Sequence, residues 1–122
     1  MKLHNRYEET LNRVKLSFNH KGNGFLINIL IGLNLMEELR IKEGDFVNVF
    51  YKERRILITK RIFREISSSY KVQDILPKTR NNLRIQFTWK YFKPKESEMN
   101  MRFVDHKIVN IPSAGPSMFV RF

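Results

Sequence analysis

The sequence predicts a mainly β fold with one or two short helices. Three observations carry this. Apolar and polar residues alternate strictly over several short stretches, glycine- and asparagine-rich turns separate them, and helical spacing of apolar residues is confined to brief windows. With 122 residues the chain is long enough for one ordinary domain or two very small ones. Ten Phe and 42% hydrophobic residues set it apart from a disordered tail.

Taken in order, residues 1–13 read as an N-terminal arm. Leu3, Tyr7 and Leu11 are spaced by four, which allows a short amphipathic helix or a frayed segment. From Val14 the alternation is strict, with Val14, Leu16 and Phe18 opposite Lys15, Ser17 and Asn19. Gly22-Asn23-Gly24 breaks it, the two glycines offering positive φ for a tight hairpin. A second strand follows with Phe25, Ile27 and Ile29 on one face. Gly32 and Asn34 end it. Asn34 reads as a helix N-cap answered by Glu37, and Glu37 and Glu38 read as first-turn carboxylates. Leu35, Met36 and Leu39 give the helix its apolar face.

Residues 41–45, Ile-Lys-Glu-Gly-Asp, form a turn. A hairpin around Lys52-Glu53-Arg54 comes next. Phe46, Asn48 and Phe50 share one of its faces and Val47, Val49 and Tyr51 the other. Both faces are apolar enough to suggest burial on two sides, as in a dimer. Residues 61–82 read as a connector: Ile62, Phe63 and Ile66 could extend a short helix, and Pro77 with Arg80, Asn81 and Asn82 marks an exposed turn. Residues 83–122 read as a basic, β-rich C-terminal segment. Leu83, Ile85, Phe87, Trp89 and Tyr91 alternate with polar residues. Residues 99–111 are one bent strand or two split at Asp105-His106, and residues 117–122 are a last strand with Met118, Val120 and Phe122 on one face.

The formal charge is +11, of which residues 1–60 carry +4 and residues 61–122 carry +7. Such an excess suits a polyanion, nucleic acid first, with an acidic protein or anionic membrane next; a basic protein without such a partner is the competing reading. Cys is absent, which excludes disulfides and thiolate metal sites. No apolar run reaches bilayer-spanning length and the first residues lack a secretion-signal core, so a cytoplasmic protein is expected, without membrane contact. His4, His20 and His106 show no ligand spacing, no phosphate loop or nucleophile set occurs, and adjacent Glu37 and Glu38 diverge by about 100° on a helix. The expectation is a binding protein, not an enzyme, with no cofactor and no metal.

Residues 14–16, 22–29, 35–45, 46–49 and 56–58 together resemble the AbrB/MazE-type swapped-hairpin DNA-binding domain. Residues 41–45 match that family's turn residue for residue. The resemblance spans about residues 14–60 and implies a β-barrel unit shared by a homodimer, whose N-terminal strands and glycine turn lie toward duplex DNA in transcriptional control. The basic second half is unlike the acidic toxin-binding tail of MazE-like antitoxins. Carried over by position, the DNA-facing residues are Arg13, Lys15, Asn19, His20, Lys21 and Asn23. Two strands and a turn can enter a major groove, although an ordinary solvated strand face reads the same way. Arg54 and Arg55, with Lys60, Arg61 and Arg64, form a second cluster able to hold phosphates or simply a solvated hairpin end. A third set, Arg84, Lys90, Lys93 and Lys95 around Trp89, Tyr91 and Phe92, could stack single-stranded bases, but its shared strand face favours core packing. A protein-interaction module docking on an acidic host surface is the alternative function, and RNA or single-stranded DNA binding a further one.

Overall fold

The register of the first hairpin follows from its apolar alternation. β1 (Val14–Lys21) and β2 (Gly24–Gly32) pair antiparallel from Val14↔Ile31 to Lys21↔Gly24. This sets Val14, Leu16, Phe18, Ile27, Ile29 and Ile31 on one face, and all six are buried. A slip of one residue would turn the whole set outward. Gly22 holds the turn at φ 58°, a conformation costly for a residue with a Cβ. Gly24 does not share that conformation, contrary to the expectation for both glycines. A Cβ on Gly24 would lie 2.8 Å from the Lys90 Cα, so its hydrogen admits a neighbouring backbone. The structure, a computed structural model, describes residues 10–60, 69–71, 73–74, 82–90, 92–112 and 114–122. The arm helix expected before Thr10, the helix expected near Ile62 and Phe63, and the turn expected at Pro77 lie outside those residues.

β2 runs directly into α1 (Leu33–Leu39), which buries Leu35, Met36 and Leu39. The expected N-cap at Asn34 is corrected. Gly32 takes the cap position with no side-chain cap, because the strand leaves no residue between itself and the first turn. Asn34 lies inside that turn and its Nδ2 donates to Asn12 Oδ1 at 3.1 Å. Glu37 and Glu38 therefore fall beyond the first turn, exposed. The helix ends with Arg40 left-handed at φ 57°. The Ile41 N–H donates to the Met36 carbonyl at 3.1 Å, and the Arg40 N–H to that of Glu37 at 3.0 Å. The turn at 41–45 closes on itself: the Lys42 N–H donates to Asp45 Oδ2 at 2.9 Å and the Asp45 N–H to the Lys42 carbonyl at 3.1 Å.

β3 (Phe46–Lys52) and β4 (Arg55–Lys60) form the second hairpin, with Glu53 at φ 56° in its turn. Two short strands, β5 (Ser69–Lys71) and β6 (Gln73–Asp74), precede β7 (Asn82–Trp89), β8 (Arg102–Ile111) and β9 (Gly115–Arg121). All nine join one antiparallel sheet in the order β5-β3-β4-β9-β8-β1-β2-β7-β6. The strands of residues 83–122, expected as an extension, are thus laid among those of the first unit. β7 pairs with the whole of β2, β8 with the start of β1, and β9 with β4. The outer edge of β2 is thus paired from Phe25 to Gly32, and that of β1 from Val14 to Leu16, with the Phe18 N–H donating to the Met99 carbonyl at 3.1 Å.

β8 is a single strand that divides the sheet into two walls. Its residues 102–104 pair with β1, and its residues 105–111 pair with β9 on the other side. The change of partner falls where the sequence suggested a split. Wall one is β1, β2 and β7; wall two is β3, β4, β9 and the rest of β8. The sheet curls until the free sides approach: the Tyr51 ring of β3 lies 5.0 Å from that of Phe87 and 4.5 Å from that of Trp89, both on β7. The enclosed core unites Ile56, Ile58, Val47, Val49, Met118 and Val120 with the inner residues of wall one. α1 covers the end where β2 stops. At the other end Phe18, Trp89, Phe92 and Phe122 pack ring on ring, with centroids 4.2 Å apart for Trp89 and Phe92 and 5.2 Å for Phe18 and Phe92. Among the described residues, no helix is long and apolar enough to cross a membrane.

Candidate nucleic-acid interface

The pleat decides which side chains leave the core. In wall two Val47, Val49, Tyr51, Ile56 and Ile58 point inward, so their neighbours point out. Cross-strand register then aligns those neighbours in rows. Phe50 pairs with Leu57, Leu57 with Phe119, and Phe119 with Lys107. In the adjacent row Lys52 pairs with Arg55, Arg55 with Arg121, and Arg121 with Asp105. Phe50 is 46% exposed and Phe119 41%. Lys52, Arg55, Arg121 and Lys107 are exposed as well and, among the described residues, none joins the ion pairs made by Glu98. A third row, Asn48, Thr59 and Ser117, is buried, so the open part of the face is the part bearing rings and cations. A depression of about 330 Å³ sinks into it, lined by Arg55, Asp105, Lys107, Phe119 and Arg121 among others.

The residues expected to meet DNA are dispersed. Asn19, His20, Lys21 and Asn23 are exposed together at the tip of the first hairpin, where the His20 ring packs on Phe25 with centroids 4.7 Å apart. Arg13 and Lys15 are half-buried and share another ring. The Arg13 guanidinium lies 3.8 Å from the Phe103 centroid and the Lys15 Nζ 5.0 Å from it. Such stacking holds cations against the protein. Arg54 is ion-paired to Glu98 and sits over Phe92 and Phe122, at 5.6 and 6.0 Å. Its neighbour Arg55 points the other way, onto the outer face of wall two. Arg61 and Arg64 lie outside the described residues. Phe87 and Trp89 are buried in the core, as their shared face suggested.

Glu98 is a residue that sequence reading passed over within a charged loop. It ends a single 3-10 turn (Glu96–Glu98), is buried, and accepts from the Lys95 N–H at 2.7 Å as well as from Arg54 and Arg102. Burial pushes its carboxyl up, but the Lys95 N–H and the two guanidiniums outweigh that and hold it below the ordinary carboxylate range. A Lys95-Glu96-Ser97-Glu98 run, with Glu three residues after the turn's first residue, was the available signal.

Along the middle row of wall one's outer face, beyond the Lys15–Phe103 pair, the chemistry differs. Ser17 pairs with Asn28 and Asn28 with Gln86, whose Nε2 donates to Asn28 Oδ1. Ser17 and Asn28 are buried, so this row leaves little to offer a partner. No family model, curated protein or solved structure matches the chain.

Proposed function

We propose that this chain binds nucleic acid, and that its working surface is the outer face of wall two. The observation that carries the reading is the pair of adjacent rows, one with Lys52, Arg55 and Arg121, the other with Phe50, Phe119 and Lys107. Residues in register across neighbouring strands have their backbones about 5 Å apart, so the three cations lie close enough for one phosphate backbone to meet several of them. The overall charge of +11 would draw such a partner in from a distance.

Transcriptional control through duplex DNA contacted by the first hairpin is the second reading. The contiguous exposure of Asn19, His20, Lys21 and Asn23 favours it. It ranks second because Arg13, Lys15 and Arg54 are engaged with rings or with Glu98, and because β7 already pairs along β2 from Phe25 to Gly32.

Binding to single- and double-stranded DNA across a salt series tests both. Affinity is expected to fall steeply with salt. The Arg55→Ala/Arg121→Ala double variant is expected to flatten the log–log slope by about 1.4, since each phosphate contact on a single strand contributes about 0.7. Loss of binding in Lys21→Ala with none in the double variant would move the function to the hairpin. Salt-insensitive or absent binding would overturn the proposal.

A further inference from the structure

The rings of wall two say which form of nucleic acid the face takes. We infer that it is a platform for an unpaired strand, with bases stacked on Phe50 and Phe119 and the backbone running along the neighbouring cationic row. This rests on reading the face as a nucleic-acid surface and adds the class of ligand.

Phe50 and Phe119 flank Leu57, two strands apart, so their Cα atoms are separated by roughly 10 Å. The cationic row lies one pleat repeat further along the strands, roughly 7 Å away. Two exposed rings with a spacer between them, bordered on one side by Lys52, Arg55 and Arg121, place flat apolar surfaces beside a line of charge. A splayed single strand has the same composition, flat bases on one side and phosphates on the other.

A duplex does not match. Its base faces are stacked on one another, and against a broad sheet face it offers phosphates and sugars, leaving the two rings against a polar surface. Lys107 continues the ring row and Arg121 faces Asp105, so the strip narrows to the depression on β8, which bounds the track on one side. An acidic protein could meet the cations but has no general need of two spaced, exposed rings.

Fluorescence anisotropy with labelled oligothymidylate, and with a duplex of matched length, tests this on the full chain. Wild-type protein should bind the oligothymidylate more tightly than the duplex. Phe50→Leu and Phe119→Leu keep apolar area and remove the ring, and each should weaken oligothymidylate binding at least about fivefold. Duplex binding should be unmoved by either. Both positions are outside the core, and an unchanged melting temperature would confirm that the fold survives. Equal or tighter duplex binding, or neutral Leu variants, would overturn the inference while leaving the nucleic-acid reading intact. Competition by polyglutamate as strong as that by oligothymidylate would also overturn it, in favour of a protein partner. Failure to bind either nucleic acid would remove the underlying reading as well.

Discussion

The middle row of wall one's outer face is Ser17, Asn28 and Gln86, with the Gln86 amide bonded to Asn28; wall two turns Phe50, Leu57 and Phe119 outward beside three cations. Inward, the two are alike. Ile27, Ile29 and Ile85 of one meet Val49, Ile56 and Ile58 of the other in a shared apolar core. The contrast separates what the fold requires from what it does not. A sheet this curled buries one face by necessity, and the composition of that face is dictated by packing density. The outer face is free to vary, and single exposed apolar residues there would need no explanation. Two rings and an intervening Leu in register, with cations in the next row, form a patch rather than scattered residues, and the proposed nucleic-acid surface rests on that patch.

Four sets of variants test the difference between the walls. Inner residues of either wall should matter alike: Phe18→Ala in wall one should cost about 3–5 kcal/mol and Ile58→Ala in wall two about 2–5 kcal/mol in urea unfolding. Each should unfold in a single transition; two transitions would make the walls separate units. Next, Glu98→Gln should cost about 2 kcal/mol by weakening the charge-assisted bonds that tie Arg54 and Arg102 together. The Glu98 carboxyl has a lowered folded value, so its stabilisation is fully present above the ordinary carboxylate pKa of about 4.3. It is lost as pH falls through that lowered value. An acid-unfolding series should show this loss in the wild type and a smaller one in Glu98→Gln.

Third, Asn28→Ala in wall one should cost about 1 kcal/mol, because the Gln86 amide loses its acceptor, with no change in nucleic-acid binding. Smallest in stability, Phe119→Ser in wall two should lie within about 0.5 kcal/mol of wild type in the same urea experiment. Its loss should appear in binding alone. If Asn28→Ala weakened binding as much as Phe119→Ser, the contrast between the walls would carry no functional meaning.

Much of the fold was legible. The alternation at Val14, Leu16 and Phe18, and again at Ile85, Phe87 and Trp89, is a local signal, and the turn at Lys42 to Asp45 is held by bonds within itself. Strand order was not legible, because pairing β2 with β7 or β4 with β9 joins residues far apart in sequence, and alternation does not record partners. The helix start was misplaced because Asn34 fits a cap as well as it fits a bond to Asn12. The candidate interface was legible only in part. Arg55 was picked out within a basic cluster with Arg54, yet Arg54, in the hairpin turn, reaches Glu98 while Arg55, the first residue of β4, faces outward. Phe50 looked like an ordinary strand residue until register set it in line with Phe119, and Arg121 and Lys107 joined it from strands that no local pattern connects to β3.

If nucleic acid lies on wall two as proposed, the contact surface can be mapped directly. At 14.7 kDa the chain suits amide NMR, and titration of labelled protein with oligothymidylate reads that surface residue by residue. The shifting amides should cluster at Phe50, Lys52, Arg55, Leu57, Lys107, Phe119 and Arg121, with Ser17, Asn28 and Gln86 still. Shifts confined to residues 19–23 at the first hairpin's tip, or no shifts at all, would contradict that placement.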